Sequence, residues 1–97
     1  MFYPLEKLHL LHDGYKRTFK VGRTEIMLIQ DEGRTYLIEN RCPHAGAPLT
    51  HGPVFDGRIG CPMHGLTFDL ATGHSGACAP LNTFVPVYEG TMIGVDL

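Results

Sequence analysis

A chain of 97 residues is the length of one small domain, 1–97, and leaves no room for two. Its 43% hydrophobic and 19% charged content excludes a disordered chain, and a net charge of −2 without any Lys/Arg run excludes a nucleic-acid-binding stripe. No apolar run approaches the ~18 residues that a membrane span needs. Residues 1–11 mix Glu6, Lys7 and His9 among their apolar side chains, unlike a secretory leader. Three cysteines, an odd count, argue against a disulfide framework and for a reducing, cytoplasmic setting.

In chain order, the first 40 residues read as antiparallel β. Residues 15–21 place Tyr15, Phe19 and Val21 on one parity. Residues 25–30 hold the run Ile26-Met27-Leu28-Ile29, as in a strand covered on both faces, and residues 35–39 offer Tyr36, Leu37 and Ile38. Gly22-Arg23 and Asp31-Glu32-Gly33 between them suit hairpin turns. From Arg41 to Pro80 the chain is dense in Cys, His, Pro and Gly and reads as loops around short strands, one approaching Cys61 through Ile59 and one over residues 67–70, with a turn at Asp56-Gly57. Strand character returns over 83–88, where Pro86 predicts an edge or a bulge. Glu89-Gly90 is a turn, and residues 91–97 close the chain with Ile93 and Val95 on one parity. No segment keeps a 3.6-residue period. The fold class is all-β: a base built from 1–40 and 81–97, and a loop-rich inserted subdomain, 41–80.

The insertion contains Cys42-Pro43-His44, then 16 residues, then Cys61-Pro62-Met63-His64. Thiolate is a soft, strong donor for iron or zinc, and imidazole an intermediate one. Two short motifs, each with one Cys and one His, can bring four donors together from two loop tips. Prolines beside the cysteines lower the cost of ordering those loops, and Gly46, Gly60 and Gly65 let backbone N–H groups approach inorganic sulfide. A structural zinc site uses the same residue types, but zinc fingers usually pair cysteines in one motif and histidines in the other. The mixed pairing suits a [2Fe–2S] cluster with Cys42 and Cys61 on one iron and His44 and His64 on the other.

The segment Cys42-Pro43-His44-Ala45-Gly46-Ala47-Pro48-Leu49, followed by Cys61-Pro62-Met63-His64-Gly65, resembles the Rieske ferredoxin family. The likeness continues through Phe68-Asp69, Thr72-Gly73 and Pro80 to the closing strands. It implies an antiparallel β-sandwich base with one cluster at the tip of the insertion, both histidines facing solvent there and Leu49 covering the cluster. The Rieske subunits of respiratory and photosynthetic complexes resemble this motif but add a cysteine to each loop; the matching positions here are Ala47 and Met63, so that disulfide cannot form. Their Ser and Tyr after the second His correspond to Leu66 and Phe68, which carry no hydroxyl. Fewer donors stabilise the reduced cluster less, which predicts a potential at the low end of the Rieske range, about −150 mV. Two ferric ions, two sulfides and two thiolates sum to about zero charge, so such a cluster is easier to reduce than an all-cysteine one. Reduction should raise the proton affinity of the outer nitrogens of His44 and His64. A potential flat from about pH 7 to 11 would contradict this.

The resemblance implies an electron carrier, not an enzyme: a monomer that takes one electron from a ferredoxin reductase and passes it to a terminal, aromatic-ring type oxygenase. Two other readings use the same residues. One is a small subunit of NAD(P)H-dependent nitrite reductase; the other is a zinc-stapled interaction domain. His51, close to the first motif, either flanks the cluster or is a polar loop residue. His9 and His12 read as solvated surface, and Cys78 as a small packing residue near Pro80.

Overall fold

The computed structural model describes residues 1–44, 46–63, 65–76 and 79–97. Among these the strands are β1 (Phe2–Lys7), β2 (Lys16–Val21), β3 (Thr24–Asp31), β4 (Arg34–Glu39), β5 (Val54–Phe55), β6 (Arg58–Gly60), β7 (Thr67–Asp69), β8 (Thr83–Phe84), β9 (Val87–Glu89) and β10 (Met92–Asp96). A 3-10 turn, Leu8–Leu10, follows β1. The strands form three antiparallel sheets, ordered β1-β10-β9, β2-β3-β4-β8 and β5-β6-β7.

The apolar run in β3 explains how these sheets stack. Successive side chains of a strand point to opposite faces, and Ile26 to Ile29 are all 1% exposed or less. Ile26 and Leu28, with Leu37 of β4, pack against Ile93 and Val95 of β10. Met27 and Ile29, with Ile38 of β4, pack against Ile59, Phe68 and Leu70 of the insertion. The four-stranded sheet is thus a middle layer with a core on each face. Each such aliphatic side chain contributes about 1.5–3 kcal/mol on burial. Tyr15, Phe19 and Val21 of the β2 region all pack on the first of these cores, as their shared parity requires.

The hairpins turn where glycine-containing pairs predict. Asp56 and Gly57 both take positive φ, 51° and 70°, which matches the right-handed twist of β5 and β6. One strand reading needs correction. The stretch 83–88 is not one strand: β8 pairs with β4 in the middle sheet and β9 with β10 in the end sheet. Pro86 has no N–H to continue a ladder, so the chain changes sheets at Val85-Pro86. β1 carries no clean alternation because its register with β10 slips between Pro4 and Glu6. That bulge leaves Pro4 exposed on an open sheet edge and Glu6 buried.

Candidate metal centre

The first motif emerges from the end of β4. The Asn40 N–H donates to the Glu25 carbonyl (2.8 Å), extending the β3–β4 ladder. The buried Asn40 side chain then closes the neck of the loop. Its Oδ1 accepts from the Leu49 N–H (2.7 Å), and its Nδ2 donates to Thr50 Oγ1 (2.9 Å) and Glu25 Oε2 (3.2 Å). Within the loop the Cys42 N–H donates to the Ala47 carbonyl (2.7 Å), and the Gly46 N–H to the Cys42 carbonyl (2.7 Å).

The second motif connects β6 to β7 and repeats this pattern. The Cys61 N–H donates to the Leu66 carbonyl (2.7 Å), and the Gly65 N–H to the Cys61 carbonyl (3.0 Å). Gly46 and Gly65 take φ of 71° and 70°, a left-handed turn that costs other residues strain. Each cysteine thus begins an arc closed at its fourth and fifth following residues. The two arcs share a backbone frame and differ in sequence where the histidine falls, two residues after Cys42 and three after Cys61.

Packing holds the arcs together. Cys42 and Cys61 are 0% and 2% exposed and belong to one apolar cluster with Leu49, Ile59 and Phe68. Leu49, expected over the cluster, is fully buried there. His44 is exposed, as are Pro62 and Met63. His64 lies outside the described residues. Gly52 permits the close approach of the two loops: a Cβ there would overlap the Gly60 carbonyl oxygen. The Lys16 Nζ donates to the Gly52 carbonyl (2.9 Å), tying this contact to β2; partial burial pulls the Lys16 pKa below its usual value.

A third loop leaves β7. Asp69 accepts from the N–H groups of Ala71 and Thr72, each at 2.9 Å. The Thr72 N–H foremost holds its carboxyl below the usual aspartate range. The Asp69 and Gly73 N–H···O bonds to His74 and Asp69, and that of Leu81 to Gly73, bring the chain back toward the middle sheet. Cys78 lies outside the described residues. Leu66 is half-buried and Phe68 fully buried against the cysteine cluster.

The remaining histidines are elsewhere. His51 is exposed at a cavity of about 330 Å³ lined with Tyr15, Lys16, Gln30 and Val54. His9 is exposed in the 3-10 turn. His12 is exposed and edge-on to Tyr15, with ring centroids 5.9 Å apart. Sequence reasoning missed Asn40 and Gly52. Each carries a weak signal: Asn40 is a polar residue ending an apolar strand, and Gly52 begins the run back toward β5.

Two water-shielded thiols and an exposed imidazole on loops of matching frame suit a soft, thiophilic metal group with one side open to solvent. A family model described as the Rieske [2Fe-2S] domain matches residues 1–89. The chain is 34% identical over 94 residues to the ferredoxin component of a naphthalene 1,2-dioxygenase system from Pseudomonas aeruginosa, covering 93% of this chain and 89% of that protein. It is 38% identical over 63 residues to mouse apoptosis-inducing factor 3, covering 65% of this chain and only 10% of that longer protein. The ferredoxin of carbazole 1,9a-dioxygenase from Nocardioides aromaticivorans IC177 has the same fold. Its TM-score is 0.83 at 32% identity, over 97% of this chain and 95% of that one. The chain therefore belongs to the Rieske [2Fe–2S] domain family. Membership implies one [2Fe–2S] cluster per chain. No helix among the described residues is long and apolar enough to cross a membrane.

Proposed function

We propose that Cys42, His44, Cys61 and His64 hold the cluster and that the chain is the ferredoxin of a multicomponent oxygenase system, working in the cytoplasm. When bound, such a cluster takes up and releases one electron. The observation that carries this reading is the pair of matched arcs, which bury Cys42 and Cys61 in one apolar cluster while His44 stays exposed. Burial keeps water from the two thiolates. The exposed His44 imidazole would put one ligand of the cluster at the protein surface. Gly46 and Pro48 on the first loop and Pro62 and Met63 on the second are also exposed and uncharged, with Arg41 the charged residue beside Gly46. The relatives named as ferredoxin components of dioxygenase systems support an oxygenase as electron acceptor; a ferredoxin reductase as donor and a monomeric carrier complete the proposal.

The test is a visible spectrum of aerobically purified protein before and after dithionite, with iron and acid-labile sulfide counted. Red-brown protein that partly bleaches, with about two irons and two sulfides per chain, is the expected result. Colourless protein holding one zinc would turn the same residues into a structural staple. Co-purification with a large sirohaem protein would point to a nitrite reductase subunit instead.

A further inference from the structure

Beside the first arc lies the guanidinium of Arg41. The Arg41 Nε and Nη2 lie 3.7 and 3.8 Å from where a Cβ on Gly46 would sit, so the guanidinium rests against the backbone of the arc. A Cβ at position 46 would be in ordinary van der Waals contact with it. Arg41 is exposed and forms no ion pair among the described residues. Two carboxylates, Glu25 and Glu39, and a second cation, Arg23, share its cleft. Glu25 accepts from the Asn40 amide (3.2 Å), and Glu39 from the Asn82 amide (2.8 Å), and both line the same cleft of about 280 Å³ as Arg41.

We infer that Arg41 is a tuning residue whose fixed charge, held against Gly46, raises the electron affinity of the cluster that the neighbouring Cys42 helps to hold. The inference rests on the electron-carrier reading above. Reduction adds one negative charge, and a cation that remains charged at all working pH values favours the reduced form through space. The energy is modest because solvent screens it, and it weakens with salt over a Debye length of about 8–10 Å. Arg41 directly precedes Cys42 and rests against the same arc. Arg34, at the other end of β4, is seven residues away, roughly 23 Å along an extended strand. It serves as a control with the same change in net charge.

The experiment measures reduction potential by voltammetry on loaded protein, with the cluster checked by visible circular dichroism and iron content. Arg41→Gln should lower electron affinity about threefold, or about 28 mV at 59 mV per tenfold change. Arg41→Lys should stay near wild type, Arg34→Gln should not shift, and the Arg41→Gln effect should shrink in about 1 M salt. Should Arg41→Gln not load iron, Arg41→Met keeps the aliphatic stem and is measured in its place. Equal shifts for Arg41→Gln and Arg34→Gln, no shift in either, or a shift in Arg41→Lys as large as in Arg41→Gln would overturn the inference. Wild-type protein without the [2Fe–2S] spectrum sinks the carrier reading itself, whereas loaded protein with an unmoved potential sinks only the role of Arg41.

Discussion

Two residues that bind nothing decide whether the two cysteine arcs can meet. Gly52 lies where the chain passes over the backbone of Gly60, and its missing Cβ is the space that the Gly60 carbonyl occupies. Backbone cannot yield as a flexible side chain can, so Gly52→Ala should cost at least about 2 kcal/mol, read as a lower urea midpoint and reduced iron content. Asn40 satisfies three partners from a buried position. Asn40→Ala leaves the Leu49 N–H unpaired inside the fold, at a cost of about 1–3 kcal/mol. Amide exchange at Leu49 should accelerate in that variant, whereas exchange in β10 should not. The pattern of cysteines and histidines was legible because donor chemistry restricts residue types. Asn40 and Gly52 were not, because their roles depend on which distant backbone atoms come near them.

At the level of elements, sequence pattern served well where a strand has simple neighbours. β3 is buried on both faces and reads as a continuous apolar run, and the turn pairs mark its hairpins. β1 falls in the stretch read as antiparallel β, but its bounds were not marked, because a bulge at the Pro4–Glu6 step breaks the two-residue alternation. That bulge places the Glu6 carboxylate under β2. There it accepts from the Tyr15 hydroxyl (2.8 Å) and its own neighbour's Lys7 N–H (2.8 Å), with Arg17 Nη1 at 3.5 Å. The Lys7 N–H first, and then Tyr15, hold the Glu6 carboxyl below its ordinary range. Burial first, and then Glu6, push the Tyr15 pKa up to about 12. A phenol whose folded pKa is raised stabilises the fold fully below about pH 10 and loses that contribution as pH rises through about 12. Stability curves for wild type and Tyr15→Phe should therefore converge over that interval, while at neutral pH the variant is weaker by about 1–2 kcal/mol. Parallel curves from pH 8 to 12 would show that this clasp does not titrate as described.

At the scale of the whole molecule, the middle sheet separates two cores that share one strand. Met27 and Leu28 are adjacent, equally buried and serve opposite sides. Met27→Ala and Leu28→Ala should each cost about 2–5 kcal/mol. Only Met27→Ala opens space beside Cys42 and Cys61, so only it should alter the visible circular dichroism of loaded protein near neutral pH. Equal spectral changes in both variants would mean that the sheet transmits strain instead of partitioning it. Pro86 belongs to this scale as well: the sequence marks the interruption, but only the assembled layers reveal that the chain there crosses from one sheet to another. Because β3 is common to both sides, neither half has a wall of its own. Melting the side remote from the cysteines removes the floor beneath them, so the fading of the chromophore would serve as a built-in dial for unfolding throughout the chain.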